Sequence, residues 1–582
     1  MPGPATATES PSATPTATAV GAAAEIDLVP ASGAGRDGSY ADADQIDAFA
    51  RDLRRFEAGE LDAETWRSRR VALGAYGQRQ EGVHMLRVKL PQGVATAEQL
   101  RALADVAVLY SRGFGHVTTR QDFQLHFVHP SHLEPAMRRL ASAGLTTSGA
   151  GGNTVRNVVA CPFAGIAPDE PFDVTPYAEA FTRHFLRHPL GDSLPRKFKV
   201  AFEGCAEDHA ATAIQDLGFR ARLSGEGSGA RRVFSVTAAG GTSTLCASGE
   251  PLVEELPAGE ILALGEAVVR VFHARGDRAD RKRNRLKFLV RDMGLAPFRT
   301  AVMAELERLR AAGPPRLPFD PERPPEESPP GSRGGAAPSG GRAPAWAPGP
   351  FRASNVRPQR QPGFCTVTVS PPRGDVTAGQ LCGIAALAEA YGDGSARFTS
   401  AGHLLLRWVR DLHVGAVHAR LAAAGLGQDG AGSAADVGAC PGAEVCRLAV
   451  TATREPARRV ADEVRRALPE TARAVPIPVR MSGCPNGCAQ HHLAAIGLQG
   501  CTRRVDGAAA PHFQVLLGGH TGEGGAVFGR PAGTVPEERV PELVARLAGL
   551  YLAGRRDGEG AGAWFAREFE RAREAVAAHS RR

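Results

Sequence analysis

The positions of apolar and polar residues show one large repeat along the chain. Residues 94–110 (VATAEQLRALADVAVLY) carry apolar residues at helical spacing, and Thr96 is followed three positions later by Gln, a capping-box arrangement. The pattern returns 281 positions later in residues 375–391 (DVTAGQLCGIAALAEAY), where Thr377 takes the place of Thr96. Strand-like runs flank both helices, in residues 85–93, 117–128, 365–374 and 397–409. We therefore predict one strand–helix–strand unit that is used twice in an α+β fold.

Two stretches lack this periodicity and divide the chain. Residues 1–45 are rich in Ala, Thr, Pro, Gly and Ser, and we predict a disordered tail there. Residues 313–355 are rich in Pro and Gly, which is typical of a linker. The rest is predicted to form a half-domain with an N-terminal arm and a larger domain, then a second half-domain and a second larger domain. These four parts are residues 46–145, 146–312, 356–430 and 431–582.

The two copies differ in the charges that they carry. The first copy has basic or amide side chains at four positions where the second copy has small neutral ones. These pairs are Arg87 and Thr368, Lys89 and Ser370, Arg120 and Ala401, and Gln121 and Gly402. Cations at matched positions in one copy alone indicate that this copy binds anions.

Four cysteines of the second copy form two close pairs. Five residues separate Cys440 from Cys446, and three separate Cys484 from Cys488 in the run SGCPNGC. Four thiolates suit either a zinc ion or an iron–sulfur cluster. Structural zinc sites favour gaps of about two to four residues in both pairs, which the first pair does not match. Four buried structural thiols are a third alternative.

Glycines lie beside both cysteine pairs. Gly442, Gly483 and Gly487 would let the backbone approach an inorganic core, where amide N–H groups can donate to sulfide. The remaining cysteines show no second array and are expected to be small buried side chains. They are Cys161, Cys205, Cys246, Cys365, Cys382 and Cys501.

Composition narrows the functional classes further. The chain has 582 residues, 10 cysteines and a formal net charge of +7. No signal sequence and no apolar run of membrane-spanning length is visible, so we expect a cytoplasmic protein without a membrane partner. Clustered cysteines in a reducing compartment are more often metal ligands or catalytic groups than cross-links. The positive charge suits small anions or an acidic protein. Nucleic acid is not expected, because no Lys/Arg tail or aromatic-interleaved basic strip is present.

The spacing Cys-x5-Cys and Cys-x3-Cys, with the second pair in MSGCPNGC, resembles the signature of the nitrite and sulfite reductase haemoproteins. The duplication is similar to the same family from about Gly74 to the region after Cys501. The resemblance implies two ferredoxin-like half-domains and two larger α+β domains that bind the cluster and sirohaem, related by a pseudo-two-fold axis. It also implies a [4Fe–4S] cluster on all four cysteines, with the Cys488 thiolate bridging to the sirohaem iron.

The resemblance assigns roles to the basic residues as well. The substrate side of the sirohaem would be lined by Arg87, Arg156, Lys197 and Lys199. The sirohaem carboxylates would be contacted by Arg120, Gln121 and Arg196, and by Arg281, Arg283, Asn284, Arg285 and Lys287 in the run RKRNRLK. Arginine offers forked donors to carboxylates, and lysine can both stabilise an oxyanion and deliver protons.

Two further pairs of residues raise specific questions. Some family members carry a Tyr–Cys link near the sirohaem, for which Tyr76 and Cys161 are the candidates; we expect an ordinary buried Tyr and Cys instead. His491 and His492 follow Cys488 in the chain. Because the resemblance assigns the iron-bridging thiolate to Cys488, we expect both histidines to be helix residues beneath the cluster.

The resemblance implies a reduction that takes six electrons. Lys197-Phe-Lys199 after Leu-Pro-Arg is typical of sulfite-reducing members, whereas plant-type nitrite reductases tend to have Lys-x-Asn. We therefore expect sulfite to be reduced to sulfide, with nitrite to ammonia as the alternative. No GxGxxG or flavin motif is present, so the electron donor is expected to be ferredoxin or, alternatively, a flavoprotein subunit. Two other classes remain open: a relative of precorrin-3B synthase, and a zinc-stabilised binding protein.

Overall fold

The computed structural model describes residues 38–330 and 349–580, apart from Asp192, Arg281, Glu523 and the side chain of Ser228. Most of the predicted tail and the middle of the predicted linker lie outside these ranges. The α-helices of the described residues are α1 Ala43–Glu57, α2 Ala63–Ala72, α3 Ala97–Tyr110, α4 Pro130–Ser142, α5 Thr175–Phe185, α6 Ile261–Arg275, α7 Leu286–Met293, α8 Leu295–Ala312, α9 Pro350–Asn355, α10 Ala378–Tyr391, α11 Val414–Ala423, α12 Arg454–Ala467, α13 Val540–Gly554, α14 Ala561–Arg567 and α15 Phe569–Ser580.

The two half-domains each contain a five-stranded sheet. The first sheet has the order β1 Ala75–Gly77, β2 His84–Val88, β5 Phe123–Val128, β4 Phe114–Val117 and β13 Asp375–Thr377. The second has the order β11 Val356–Pro358, β12 Phe364–Val369, β15 Leu404–Arg410, β14 Ser395–Phe398 and β3 Val94–Thr96. Each sheet is thus completed by a short strand from the other copy, with Thr377 opposite Phe114 and Thr96 opposite Ser395. This exchange joins the two half-domains through backbone hydrogen bonds.

The predicted pair of capped helices is confirmed. Both α3 and α10 begin with a complete capping box, in which the Thr hydroxyl accepts from the third backbone N–H and the Gln side chain accepts from the Thr backbone. The two helices pack against each other, and one hydrophobic core runs through both half-domains; it includes Leu100, Leu103, Leu381 and Ile384. The half-domains therefore form one body and not two separate ones.

The predicted single strands after each helix are hairpins. Residues 117–128 contain the end of β4, a tight turn and β5, and residues 397–409 contain β14, the same turn and β15. The turn places Gln121 at φ 55° and its counterpart Gly402 at φ 90°, the left-handed region that favours glycine. The strained backbone of Gln121 therefore needs a compensating interaction, which its side chain makes with Ala160.

The larger domains share a second repeated sheet, in which three neighbouring strands are parallel and the last two are antiparallel. The first has the order β6 Val159–Ala160, β7 Val200–Glu203, β8 Leu217–Ser224, β9 Arg231–Ala238 and β10 Glu250–Pro257. The second has the order β16 Val437–Ala439, β17 Val479–Ser482, β18 Ile496–Val505, β19 Ala508–Leu517 and β22 Arg530–Pro536. A two-stranded ribbon, β20 His520–Gly522 and β21 Gly525–Val527, follows β19. The fold is therefore α+β and duplicated throughout, as predicted.

Residues 313–330 of the predicted linker lie mostly on the protein surface and contact both halves, whereas its last residues form α9, in which Phe351 and Asn355 are buried. Phe319 packs against the core of the first larger domain, and the Pro321 carbonyl accepts from the Tyr177 hydroxyl. Glu327 accepts from the buried Arg397 of the second half-domain at 2.7 Å. Residues 313–330 thus connect the copies through specific contacts. Among the described helices, none has the length and apolar character needed to cross a membrane.

Candidate active site

The four cysteines of the second copy lie on loops at the carboxyl edge of its parallel strands. Cys440 directly follows β16, and Cys484 comes two residues after β17. The Gly483 N–H donates to the Cys440 Sγ at 3.3 Å, so the two loops are in contact. Cys440 and Cys484 are buried, Cys446 is half-buried and Cys488 is exposed. Neighbouring parallel strands thus bring together cysteines that are more than forty positions apart.

The arrangement of the four thiols is wider than a single metal ion requires. Tetrahedral zinc with bonds of about 2.3 Å would hold its sulfur atoms about 3.8 Å apart. No three of these four sulfur atoms, all within the described residues, lie within 4.8 Å of one another. Burial, with a smaller contribution from Cys488, raises the pKa of the Cys440 thiol to about 12. Such thiols become thiolates when a metal centre supplies positive charge, and their spacing favours a cluster.

Two of the glycines beside the cysteines have no room for a side chain. A side chain at Gly442, where φ is +63°, would overlap Thr453 and Glu444. A side chain at Gly483 would meet the Thr451 carbonyl at 2.7 Å. These glycines thus let the protein fold tightly around its own cysteine loops.

A cavity separates the cysteine loops from the turns of both half-domains. Its polar walls include His116, Thr118, Thr119 and Gln124 from the first half-domain, Arg373 from the second, and Arg480, Cys440 and Cys488 from the second larger domain. Two hydrogen bonds tie these walls together. The Thr119 hydroxyl donates to the Cys488 carbonyl at 2.8 Å, and Arg480 donates to the Ala401 carbonyl at 2.7 Å. Both copies therefore line one cavity beside Cys488.

Arg87 and Arg156 lie together in the first copy, as predicted. Both donate to the Ala150 carbonyl, at 3.0 and 3.2 Å respectively. Arg156 also donates to the Tyr76 hydroxyl at 3.3 Å, and the Arg87 guanidinium lies 5.1 Å from the Tyr76 ring centre. Burial raises the pKa of Tyr76, but these two arginines and the hydrogen bonds outweigh it and leave the pKa lowered.

Lys197 and Lys199 are half-buried among other cations of the first copy. Burial, followed by the charges of Arg285 and Arg156, lowers the pKa of Lys197 to about 7. Cys488 acts in the opposite direction on this pKa, so Lys197 and Cys488 are near enough to interact. Burial and the neighbouring cations lower the pKa of Lys199 well below its usual value. One cation of the first copy therefore lies within electrostatic reach of a cysteine of the second.

An ion pair between Arg285 and buried Asp216 is hydrogen-bonded to the Lys199 backbone. Arg285 donates to both carboxylate oxygens of Asp216, at 2.9 to 3.1 Å. The same carboxylate accepts from the Lys199 backbone N–H at 2.9 Å. Arg120 lies within reach of this group and donates to Gln215 at 2.8 Å and to the Val200 carbonyl at 3.0 Å.

Several predicted cofactor contacts have hydrogen-bond partners within the protein. The Gln121 amide donates to the Ala160 carbonyl and accepts from its N–H, which offsets the strained turn. Asn284 donates to the Pro195 carbonyl, and Lys287 donates to the Thr242 carbonyl, both at 3.0 Å. These three side chains position loops of the site.

The remaining residues of the basic run have other surroundings. Arg283 forms a surface ion pair with Asp292 at 2.7 Å, with about half of each side chain exposed. Its neighbour Asn284 is buried. Arg281 lies outside the described residues. Arg196 is half-buried and close enough to Lys197 to lower its pKa.

Five residues of this region were not predicted. The His116 Nδ1 lies 3.0 Å from an Asp375 carboxylate oxygen across the exchanged strand, a contact that sequence periodicity alone could not predict. Arg373 and Arg480 line the cavity from the second copy, at positions other than the four at which that copy lacks the polar side chains of the first. Asp122 is 3% exposed among the cations of the first copy, and its burial raises the pKa to about 6. In the sequence, Asp122 could have been identified by its position directly after Arg120 and Gln121, two predicted site residues.

Tyr76 and Cys161, the candidates for a Tyr–Cys link, contact different groups. The Tyr76 hydroxyl accepts from the Gly152 N–H at 3.1 Å, whereas the Cys161 Sγ lies 3.2 Å from the Cys205 Sγ. His491 and His492 lie in a buried 3₁₀ turn, His491–Leu493, and not in an α-helix. Burial lowers the pKa of both rings, to about 3 and about 4, so both are neutral.

Comparisons with known proteins agree with this arrangement. The family model described as "Nitrite and sulphite reductase 4Fe-4S domain" matches residues 151–309 and 432–571. The model described as "Nitrite/Sulfite reductase ferredoxin-like half domain" matches residues 76–143 and 357–424. Both matches occur twice, as the duplication requires.

Relatives extend the similarity over most of the chain. A sulfite reductase [ferredoxin] of Mycobacterium tuberculosis (strain ATCC 25618 / H37Rv) is 30% identical over 495 residues, which cover 84% of this chain and 82% of that protein. A chloroplastic ferredoxin–nitrite reductase of Arabidopsis thaliana is 30% identical over 496 residues, covering 82% of this chain and 78% of that one. The solved structure of the Mycobacterium tuberculosis NirA protein has a TM-score of 0.75 and 28% identity, covering 91% of this chain and 95% of that chain. The chain therefore belongs to the nitrite and sulfite reductase family of oxidoreductases.

Proposed function

We propose that this protein reduces sulfite to sulfide with electrons from ferredoxin. The observation that carries the proposal is half-buried Lys197, within electrostatic reach of Arg156 and Cys488, with Lys199 beside it. An oxyanion bound there would be neutralised by several fixed cations at once. A relative named for sulfite reduction and ferredoxin supports the choice.

The donor groups of the site fit the two cofactors. Cys440, Cys446, Cys484 and Cys488 would hold a [4Fe–4S] cluster. Arg120 and Arg373 each have a buried Nε with no hydrogen-bond partner among the described residues. Such unpaired donors suit the carboxylates of sirohaem, and Arg196, next to Lys197 in the chain, is a further candidate. When bound, sirohaem and the cluster supply electrons singly to the substrate.

The chain's own residues have two tasks in this reaction. Arg87 and Arg156, fixed by the Ala150 carbonyl, hold positive charge where the substrate oxygens would lie. Lys197, with a pKa of about 7, can release a proton near neutral pH and take it up again. Each oxygen of sulfite must leave as water, so protons are needed at the position where the oxyanion is bound. Lys199 would stay bound to its position through Asp216.

Reduction of nitrite to ammonia is the second candidate. A relative named ferredoxin–nitrite reductase matches at the same 30% identity as the sulfite reductase. Both reactions take six electrons and remove oxygen as water, so the same cations would serve either. Ferredoxin is favoured as the donor because both names include it and because a net charge of +7 suits an acidic protein.

Steady-state assays with reduced ferredoxin test the proposal. Wild-type holoprotein should form sulfide from sulfite, and Lys199→Met should lower kcat/KM by about 100-fold or more while keeping its sirohaem. The matched control is Arg283→Met, which removes a cation from the surface and should leave the rate unchanged. Turnover of nitrite without reduction of sulfite would contradict the sulfite assignment and support the second candidate.

A further inference from the structure

The first copy has residues of metal-ligating type at the positions that correspond to three of the four cluster cysteines. Cys161, Cys205 and His209 lie 279 positions before Cys440, Cys484 and Cys488, respectively. Cys161 directly follows β6 and Cys205 comes two residues after β7, as Cys440 and Cys484 do with β16 and β17. The counterpart of Cys446 is Ala167.

These side chains meet in the fold. The Cys161 Sγ lies 3.2 Å from the Cys205 Sγ and 3.5 Å from the His209 Nδ1. A carboxylate oxygen of Glu203 joins them, and the four candidate ligand atoms all lie within 4.8 Å of one another. Cys161 and Glu203 are fully buried and Cys205 is 3% exposed. The set is tight, in contrast to the wider cluster cysteines of the second copy.

The surroundings hold these groups in a ligand-like arrangement. The His209 Nε2 lies 2.8 Å from a Glu207 carboxylate oxygen, which leaves Nδ1 directed at the Cys161 sulfur. A carboxylate on the second ring nitrogen is the usual companion of a metal-bound histidine. Glu203 accepts from the backbone N–H groups of Cys205 and Ala210, at 2.9 Å each, which fixes the loop that carries Cys205 and His209.

We propose that Cys161, Cys205, His209 and Glu203 bind one zinc ion. Two thiolates, an imidazole nitrogen and a carboxylate oxygen form a donor set that zinc accepts in tetrahedral geometry. A [4Fe–4S] cluster is disfavoured here because the ligand atoms are too close together and Ala167 replaces the fourth cysteine. The site would thus be a mononuclear counterpart of the cluster site.

The proposed ion would fasten the loop between β7 and β8 to the end of β6. Phe163 packs on the His209 ring with centroids 4.8 Å apart, and Arg357 of the second half-domain lies 3.8 Å from Glu207. The ion would therefore stabilise a contact between the two copies. This inference stands independently of the substrate and of the sirohaem.

Metal analysis of the holoprotein tests the proposal. Protein purified anaerobically from zinc-containing medium and dialysed against EDTA should retain one zinc ion per chain, in addition to its iron. Zinc K-edge absorption should show two sulfur ligands at about 2.3 Å and nitrogen or oxygen ligands at about 2.0–2.2 Å. Absence of zinc, or a Cys161–Cys205 disulfide found by mass spectrometry of the unreduced protein, would overturn it.

Two variants and a control make the test specific. Cys205→Ser should lose the zinc while keeping its iron and acid-labile sulfide. His209→Cys, which introduces the residue of the second copy, should keep the zinc and increase the sulfur ligands from two to three. Cys365→Ser is the control, because the Cys365 thiol is also buried but donates a hydrogen bond to the Val409 carbonyl; this variant should retain its zinc. Zinc that persists in Cys205→Ser with its two sulfur ligands would contradict the assignment.

Discussion

Removal of the Arg285 side chain, as in Arg285→Met, would leave the Asp216 carboxylate buried without its bidentate partner. Asp216 has no exposed surface, and 11% of the Arg285 side chain is exposed. Its carboxylate also holds the Lys199 N–H at 2.9 Å. The substitution therefore perturbs the peptide that carries both active-site lysines, without touching either side chain.

The free-energy cost of Arg285→Met follows from the burial of the Arg285–Asp216 pair. Breaking a buried ion pair by removal of one partner costs about 3–5 kcal/mol. Lys199 and Arg120 both lie near enough to Asp216 to interact with it, so the remaining carboxylate keeps some compensation. We therefore expect a cost at the lower end of this range, about 3 kcal/mol. This cost corresponds to an increase of about 150-fold in the equilibrium constant for local opening around Lys199.

Hydrogen–deuterium exchange measures this local opening directly. The Lys199 amide, whose hydrogen bond to Asp216 is at issue, should exchange about 150-fold faster in Arg285→Met, while α15 keeps its protection. Arg283→Met is the matched control and should exchange like wild type. Asp216→Asn combined with Arg285→Met should restore much of the protection, because a neutral amide needs no counter-charge. Equal exchange in Arg285→Met and Arg283→Met would refute the reasoning.

Three further substitutions test separate features of the site. Burial raises the pKa of Asp122 to about 6, so the folded state holds more protons than the unfolded state between about pH 4 and 6, and stability falls as pH rises there. Asp122→Asn should therefore be more stable at pH 7 by up to about 3 kcal/mol but equal near pH 4 in urea titrations; equal stability at both pH values would count against this. Gly442→Ala should lose cluster iron and sulfide because of its overlap with Thr453, whereas Gly383→Ala, with nothing within 4 Å, should retain both. Thr119→Val removes the hydrogen bond to Cys488 and should lower the melting temperature, with a cost of about 1 kcal/mol; an unchanged melting temperature would show that the bond contributes nothing.

The repeating elements of the fold were predictable because their signals are local. The capping boxes at Thr96 and Thr377 and the apolar faces of the two helices are contained in short windows of sequence, and both helices form within a residue of the prediction. The exchange of β3 and β13 between the sheets was not predictable in this way. It depends on how two copies pair their edges, which no local pattern records.

The site was predictable where residue type and role coincide, and less so elsewhere. Lys197 and Arg156 lie together as the resemblance implied. Gln121 could not be separated from the cofactor contacts, because its use at a strained turn is visible only once the backbone is known. The grouping of Cys161 and Cys205 with His209 was missed because a search for cysteines alone does not detect a histidine at the third position.

Cofactor analysis of the anaerobically purified protein tests the central claim most directly. The claim is that the cysteines of one copy and the cations of the other enclose a single site for a cluster and sirohaem. We expect extractable sirohaem, together with iron and acid-labile sulfide in the proportions of a [4Fe–4S] cluster plus one haem iron. Protein that folds but contains neither sulfide nor sirohaem would contradict it.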